Sequence, residues 1–161
     1  MAEGAKEIGL DLRQTKLRLA VCGAEPWSES MRKEIQEKLS IVATDHYGLS
    51  EVMGPGVAGE CLERGGLHVN EDHFLVEVVD PRTLQPVPAG ASGELVLTTL
   101  TKEAFPLVRY RTRDLTAIVP GACPCGRTSV RIRWIEGRSD DMLVIRSVNV
   151  YPSQVEAVLR D

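Results

Sequence analysis

Long apolar runs and an excess of one charge are both missing from this chain of 161 residues. Because no apolar run reaches the roughly 20 residues that a bilayer-spanning helix needs, the sequence predicts no transmembrane segment. Acidic and basic residues are interspersed and the formal net charge is -4, which excludes a basic field for nucleic acid or a cationic face for a membrane. No secretion signal is recognisable at the amino end. We therefore expect a soluble cytoplasmic protein that binds neither nucleic acid nor membrane.

What is present suits an ordinary globular protein of one domain or slightly more. Hydrophobic residues make up 43% of the chain, enough for a buried core. A chain without a secretion signal is not expected to form disulfides. Each thiol is therefore a buried core group, a metal ligand or a reactive centre. The cysteines are Cys22, Cys61, Cys123 and Cys125.

The first third of the chain has the pattern of a strand, a helix and a second strand. An apolar run over 17–23 ends in glycine, and 41–46 is a second β-type run. Three apolar residues between them are spaced to form one stripe on a helix: Met31, Ile35 and Leu39. Ser28 or Ser30 could cap that helix. The βαβ order predicts part of a parallel α/β layer in residues 1–60, with ligands at the carboxyl ends of its strands.

After residue 60, short β-type runs alternate with turn-rich segments. HFLVEVVD and GELVLTTL predict a hairpin, and we expect residues 61–136 to form an antiparallel distorted β-barrel. Residues 137–161 predict a hinge hairpin and then a helix that begins at Pro152. Three apolar residues should form its inner face: Val155, Val158 and Leu159. Since the sequence ends within this helix, we interpret the chain as truncated at the start of a small carboxyl-terminal domain.

Two residues near the end of the second predicted strand suit phosphate chemistry. In YGLSE (47–51), the hydroxyl of Ser50 could hold a phosphate oxygen and the carboxylate of Glu51 could bind Mg²⁺. Mg²⁺ prefers one or two carboxylates together with phosphate oxygens. On the pentapeptide alone, a turn serine beside a surface glutamate is the simpler interpretation, because short motifs match by chance.

Two later segments place further charged residues at strand ends. In RYRTRD (109–114), Asp114 could accept hydrogen bonds from both ribose hydroxyls, as acidic residues do in dinucleotide sites. A solvated strand end is the alternative. GRSDD (137–141) suits either a hinge or a plain turn.

In their order and spacing, these segments resemble a known family. Four of them are similar to the motifs of the adenylate-forming superfamily of acyl-CoA synthetases: GAEPW (23–27), YGLSE (47–51), YRTRD (110–114) and GRSDDMLVIRSVNVYPSQVE (137–156). The joining segments resemble one branch of it, the phenylacetate–CoA ligases: EVMGPGVAGEC, GLHVNEDHF and LTTLTKEAFPLVRYRTRDL. The resemblance covers essentially the whole chain.

The resemblance implies a nucleotide-binding role for most of the motif residues. Glu25 and Pro26 would flank adenine, while Tyr47 and Gly48 would line the adenine and acyl pocket. Asp114 would hold the ribose hydroxyls.

The remaining motif residues are implied in catalysis and in domain rotation. Ser50 would contact the α-phosphate, Glu51 would bind Mg²⁺, and Arg138 would lie near the ribose. Asp140 matches the pivot about which the small domain of the family rotates. Members first form an acyl-adenylate from an acid and ATP, and then transfer the acyl group to CoA. The resemblance thus implies ATP or AMP, Mg²⁺ and CoA as ligands, and phenylacetate catabolism as the role.

Two parts of the family pattern are not recognisable in this sequence. They are the glycine- and hydroxyl-rich phosphate loop and the catalytic lysine of the small domain. In addition, Ser147 stands where relatives commonly carry glycine. We therefore predict a fragment of a ligase that holds part of the adenosine and Mg²⁺ site and the hinge. By itself it should bind AMP weakly and be inactive, with no acid-dependent pyrophosphate exchange.

The cysteines and one histidine could form a metal site. Cys61 and His68 flank a glycine loop, and Cys123 and Cys125 bracket a proline. Three thiolates and an imidazole suit a tetrahedral structural Zn²⁺ site, and the resemblance implies such a site in some members of the branch. The alternative is four unrelated residues, with buried cysteines packing as small hydrophobic groups.

Three hypotheses about function stay open. The first is a fragment of a phenylacetate–CoA ligase, and the second is a ligase for another aryl acid such as benzoate. The third is a non-catalytic, zinc-stabilised module for protein interaction. We also expect a homodimer, because apolar residues that should pack on an absent domain favour self-association.

Overall fold

The computed structural model describes residues 2–24, 27–52, 54–141, 143–145, 148–150, 152, 155, 158 and 159. In this part of the chain the helices with bounded ranges are α1 (Ala2–Glu7), a 3-10 helix (Leu12–Gln14) and α2 (Glu29–Leu39). The strands follow in chain order: β1 (Leu19–Gly23), β2 (Val42–Leu49), β3 (Gly54–Glu60), β4 (Leu67–Val69), β5 (Phe74–Val79), β6 (Gly93–Thr99), β7 (Tyr110–Thr116), β8 (Ile118–Val119), β9 (Arg131–Ile132), β10 (Gly137–Arg138), β11 (Leu143–Ile145) and β12 (Val148–Val150).

The order β1, α2, β2 agrees with the strand–helix–strand pattern of the sequence. β1 and β2 pair in parallel, with Leu19 opposite Val42. Ser28 caps α2, because its side-chain oxygen accepts a hydrogen bond from the Met31 N–H at 3.2 Å. Ser40 ends the helix in the left-handed conformation, with a φ of 54°. α2 therefore leads directly back to the sheet at β2.

The first sheet has the strand order β1-β2-β3-β4-β9-β8, and β1 lies at its edge. All pairs after β1 and β2 are antiparallel. A bulge between Tyr47 and Gly48 shifts the register of β2 against β3. Gly48 is required at this crossing, because a Cβ there would lie 2.4 Å from the Gly54 carbonyl oxygen. Tyr47 and Gly48 therefore lie inside β2, not beyond its end.

The second sheet has the order β10-β7-β6-β5, and the core lies between the two sheets. Its ten buried residues come from both sheets and from the turn after β2: Val52, Val57, Ala58, Leu67, Val69, Phe74, Val78, Leu95, Leu97 and Ile132. The predicted hairpin of HFLVEVVD and GELVLTTL is confirmed as β5 and β6, with Phe74 opposite Thr99.

The predicted distorted barrel in residues 61–136 is wrong for the described residues, which form two open sheets there. β4, β8 and β9 extend the first sheet through β3, whereas β5, β6 and β7 form most of the second. Because the strands of this segment belong to two different sheets, they do not close into one barrel. The domain limits 1–60, 61–136 and 137–161 stay a prediction.

The last part of the chain begins with β10, which pairs with β7 so that Arg138 lies opposite Asp114. β11 and β12 then form the antiparallel hairpin that the sequence predicts. Pro152 is helical, in agreement with a helix that begins there. Three further helical residues are exposed, against the predicted inner face: Val155, Val158 and Leu159. None of the described helices is long and apolar enough to cross a membrane.

Candidate functional site

A cavity of about 870 Å³ opens at the carboxyl ends of β1 and β2. Its other walls are the loop before α2, the start of β10 and the segment 134–135. Among the residues that the sequence singled out, Tyr47, Gly48, Asp114 and Arg138 all line this cavity. Strand ends separated by more than 60 residues of sequence thus meet at one site, because β10 pairs with β7 beside the end of β2.

Tyr47 and Asp114 form the polar centre of this wall. The Tyr47 hydroxyl donates a hydrogen bond to Asp114 Oδ2 at 2.5 Å. A guanidinium nitrogen of Arg138 lies 3.6 Å from the other oxygen, Asp114 Oδ1. Burial raises the pKa of the Asp114 carboxyl, although the Tyr47 hydrogen bond and the Arg138 charge both act to lower it. Burial and the neighbouring Asp114 charge raise the pKa of the Tyr47 phenol, so Tyr47 is the donor of this pair.

Arg138 also connects this wall to the predicted hinge. Its Nε and Nη2 donate to the two carboxylate oxygens of Asp140 at 2.9 and 2.8 Å. This paired hydrogen bond lowers the pKa of Asp140. The guanidinium therefore lies between Asp114, the predicted ribose ligand, and Asp140, the predicted pivot.

Ser50 and Glu51 follow the cavity residues in sequence but do not line the cavity. Both lie in the turn after β2 and are exposed. The ammonium of Lys102 donates to the backbone carbonyl of Glu51 at 2.7 Å and so attaches this turn to the loop after β6. The Glu51 side chain is accessible to a cation from solvent.

The neighbours in sequence of the predicted adenine-flanking pair line the cavity. Glu25 and Pro26 lie outside the described residues, as does Ser147. Gly23, Ala24 and Trp27, which lie on either side of residues 25 and 26 in the sequence, all line the cavity.

Sequence reasoning missed several residues around the cavity. Trp27, Trp134 and Arg32 all line it, and Arg32 is 3% exposed despite its charge. Arg32 follows Met31 of the apolar stripe, which is the one sequence signal that it faces inwards. Its partner Glu60 is 28 residues further along, and no local pattern connects the two.

The predicted cysteine and histidine set comes together in space. Cys61 follows β3, His68 lies in β4, and Cys123 and Cys125 lie in the turn between β8 and β9. Their ligand atoms all lie within 4.8 Å of one another. Cys61 Sγ is 3.7 Å from Cys123 Sγ, and Cys125 Sγ is 3.4 Å from His68 Nε2.

The state of the histidine suits a metal ligand. Its other ring nitrogen, Nδ1, lies 3.2 Å from the Ser129 hydroxyl, which leaves Nε2 directed towards the thiols. Burial and the charges of Arg127 and Arg131 lower the pKa of His68, which favours the neutral imidazole that metals require. Three thiols and a neutral imidazole at this spacing are a donor set for a tetrahedral metal such as Zn²⁺.

Comparison with solved structures identifies the class of fold. No family model matches the sequence. The crystal structure of 2-hydroxyisobutyryl-CoA ligase in the postadenylation state, in complex with R3-HIB-AMP, matches with a TM-score of 0.86 and 31% identity, covering 98% of this chain and 34% of that chain. An open conformation in complex with 2-HIB-AMP and CoA also has a TM-score of 0.86 and 31% identity, over 99% and 38% of the two chains. The fold is that of adenylate-forming CoA ligases.

Curated relatives narrow this class to one branch. The phenylacetate-coenzyme A ligase of Thermus thermophilus is 58% identical over 160 residues, which is 99% of this chain and 36% of that protein. The phenylacetate-coenzyme A ligase of Escherichia coli is 57% identical over 152 residues, which is 94% of this chain and 34% of that protein. The chain thus spans about a third of the length of these curated relatives. It is homologous to a segment of phenylacetate–CoA ligases, as the motifs predict.

Proposed function

We propose that this chain forms the adenosine-binding wall and the hinge of an AMP-forming phenylacetate–CoA ligase. The observation that carries the proposal is the cavity wall in which Tyr47 donates to Asp114 beside Arg138. The 52% to 58% identity to phenylacetate–CoA ligases supports the choice of this branch. In the whole enzyme, phenylacetate and ATP would form an acyl-adenylate and pyrophosphate, and the CoA thiol would then take the acyl group and release AMP.

The proposed nucleotide contacts use the groups at the cavity wall. Tyr47 holds Asp114 Oδ2 in place, so that the carboxylate can accept hydrogen bonds from the ribose hydroxyls with its remaining lone pairs. Gly48 lines the cavity next to Tyr47, while Glu25 and Pro26 are proposed to flank adenine. This arrangement recognises the nucleoside part of ATP, AMP and the acyl-adenylate.

The phosphate side would be held by the turn after β2. We assign the Ser50 hydroxyl to the α-phosphate and the Glu51 carboxylate to Mg²⁺, since an exposed carboxylate next to a phosphate site fits the ligands that Mg²⁺ prefers. When bound, Mg²⁺ would stabilise the negative charge that develops on the phosphate oxygens. Lys102 would keep this turn close to the cavity through its bond to the Glu51 carbonyl.

Asp140 is the proposed pivot of the carboxyl-terminal domain. Its paired hydrogen bond to Arg138 would hold one orientation of the hinge. Breaking that contact would free Asp140 to adopt the backbone conformation of the second orientation, in which CoA reaches the acyl-adenylate.

An AMP titration followed by amide chemical shifts tests the nucleotide wall. The signals of Tyr47, Asp114 and the Trp27 indole should move on addition of AMP, and these changes should vanish in Asp114→Ala. Asp72→Ala is the matched control, because this exposed aspartate lies outside the cavity lining. Unchanged signals at millimolar AMP would reject the proposed wall in this chain.

An assay of acid-dependent pyrophosphate exchange tests the prediction that the chain by itself is inactive. We expect no exchange with phenylacetate and ATP. Exchange catalysed by the 161 residues alone would contradict the proposal that they are one part of the catalytic unit. With the whole enzyme, a higher kcat/KM for benzoate than for phenylacetate would favour the second aryl acid.

We propose that Cys61, His68, Cys123 and Cys125 bind one structural Zn²⁺, which would join β3 and β4 to the turn between β8 and β9. A non-catalytic, zinc-stabilised interaction module would use the same geometry. The metal site therefore does not distinguish that module from a ligase fragment. Cobalt substitution tests it: the chain should show the absorption bands of a tetrahedral thiolate site, and Cys61→Ser should change them. Cys22→Ser, which replaces a cysteine outside the cluster, should not.

We also propose a homodimer, supported by the apolar edge of the first sheet. Leu19 and Val21 of β1 are 51% and 61% exposed although both are large and apolar. Contact between two copies would cover such a surface. Sedimentation at increasing concentration should show a dimer, and a monomer at high concentration would contradict it. The cytoplasmic location stays a prediction.

A further inference from the structure

A buried ion pair lies at the cavity wall, with one member lining the cavity, and neither member belongs to one of the four motifs. Arg32 of α2 donates to Glu60 at the end of β3, from Nη1 to Oε2 at 2.6 Å and from Nη2 to Oε1 at 3.3 Å. The exposed fraction of the side chain is 4% for Arg32 and 0% for Glu60. Two charges removed from water to this extent cost several kcal/mol of desolvation each, to order of magnitude, so the pair calls for an explanation beyond stability.

The pair replaces backbone hydrogen bonds where β2 and β3 separate. Their pairing ends with His46 opposite Gly59. Beyond this point the next polar groups on that edge of β2 are taken by the ion pair. Arg32 Nη1 donates to the Ala43 carbonyl at 2.7 Å, and Glu60 Oε2 accepts from the Asp45 N–H at 2.9 Å.

The same guanidinium also contacts the loop before α2. Its central carbon lies 4.5 Å from the centre of the Trp27 ring, in a cation–π contact. Arg32 Nε also lies 2.7 Å from Glu29 Oε1. Trp27 lies in the loop before α2, and Asp45 comes two residues before Tyr47. One side chain thus links the loop before α2 to β2, and both of these segments line the cavity.

We propose that Arg32 and Glu60 are positioning residues that set the separation between the Trp27 loop and the Asp45–Tyr47 segment of β2. Because the Tyr47 hydroxyl donates to Asp114, this separation would also set the position of the Asp114 carboxylate. The identity of the ligand as a nucleotide rests on the proposed function, whereas the coupling of loop to strand rests on these contacts alone.

An effect on nucleotide binding can be separated from an effect on stability, because replacing a buried ion pair by apolar residues of similar volume is often neutral or stabilising. The test variant is the double substitution Arg32→Met and Glu60→Leu in the full chain. The matched control is Lys38→Met and Glu34→Leu, which removes an exposed ion pair from the same helix. Each protein is examined by thermal unfolding, by the dissociation constant for AMP, and by the nucleotide-free signals of the Asp45 and Tyr47 amides and the Trp27 indole.

We expect the double variant to unfold near the wild-type temperature and to bind AMP about tenfold or more weakly, since a small displacement of positioned groups has effects of that order. Its Tyr47 amide and Trp27 indole signals should both move without nucleotide, and the control should change neither. Arg32→Lys, which keeps the charge and one hydrogen bond, should bind AMP with an intermediate dissociation constant. If the double variant does not fold, the test rests on Arg32→Lys alone. A dissociation constant for AMP and Tyr47 and Trp27 signals equal to those of the wild type in Arg32→Lys would then overturn the inference.

Two further outcomes are informative. A folded double variant with wild-type AMP binding and unmoved Tyr47 and Trp27 signals would overturn the positioning role. If the wild-type chain does not bind AMP, the proposed nucleotide wall is wrong, but the coupling is still judged by the nucleotide-free signals. Joint movement of the Trp27 and Tyr47 signals would then support it, and movement of neither would reject it.

Discussion

The two sheets of this protein bury their strands to different degrees. In the second sheet, β6 is buried at every position but one. In the first sheet, β1 alternates between exposed and half-buried residues, and its exposed positions include the apolar Leu19 and Val21. The first sheet nevertheless supplies more of the strand residues that line the cavity than the second sheet does, since β1 and β2 end at the cavity.

The buried core and the candidate site therefore lie in different parts of this fold. The core between the sheets draws on β3 to β6, on β9 and on the turn after β2, whereas the cavity wall depends on strand ends and on polar contacts between distant segments. Leu19 and Val21 leave an apolar surface on the edge strand of the first sheet, and the proposed dimer would cover it.

Truncating one apolar residue in each sheet gives the largest expected effect. Leu95 in β6 is fully buried, so Leu95→Ala should lower the free energy of unfolding by about 2–5 kcal/mol through lost burial and a cavity. Val21→Ala in β1 should change it by about 0.5 kcal/mol or less, because Val21 is already exposed. Urea denaturation of both variants measures the contrast. Equal losses of unfolding free energy in the two variants would show that the surface of β1 is covered in solution, as in a dimer formed through β1.

Adding a methyl group at Gly48 should have the next largest effect. Its Cβ would lie 2.4 Å from the Gly54 carbonyl oxygen and 2.8 Å from Pro55 Cα, so the backbone of β3 must shift. We expect Gly48→Ala to lower the free energy of unfolding by about 1–3 kcal/mol through this crowding. Gly4→Ala is the control, because a Cβ there meets nothing within 4 Å. A Gly48→Ala chain as stable as the control would show that the crossing of β2 and β3 is loosely packed.

The smallest expected effect is the pH dependence of the turn after β5. Asp80 Oδ1 accepts from the backbone N–H groups of Thr83 and Arg82, each at 2.8 Å, and these bonds lower the pKa of Asp80. A lowered folded-state pKa stabilises the fold above the ordinary aspartate pKa, and this contribution is lost as the pH falls through the folded value. Asp80→Asn should therefore lower the thermal midpoint slightly at neutral pH, with a difference that shrinks in acid. A difference independent of pH would assign the effect to packing of the turn.

Much of the local structure was predictable from the sequence, because it depends on residues close together in the chain. The cap at Ser28, the helix before β2 and the hairpin of β5 and β6 follow from capping chemistry and hydrophobic spacing. The motif residues Tyr47, Gly48, Asp114 and Arg138 were also found in this way, and they do line one cavity.

The division of strands between two sheets was not predictable. Local pattern does not state which partner a short strand chooses, so β4, β8 and β9 were expected to close a barrel with β5 to β7. The ion pair of Arg32 and Glu60 was missed for the same reason. Its members are 28 residues apart, and in the sequence each resembles a surface charge.

By itself the amino-acid sequence determined the helix before β2, the hairpin of β5 and β6, and the set of candidate residues for binding nucleotide or metal. Only the tertiary structure decided that the ligand atoms of Cys61, His68, Cys123 and Cys125 lie within 4.8 Å, and that Tyr47 meets Asp114. The physical reason is the distance along the sequence over which each kind of interaction acts. Propensity and capping act over a few residues, whereas these contacts depend on strand pairing across more than 50 positions of the chain.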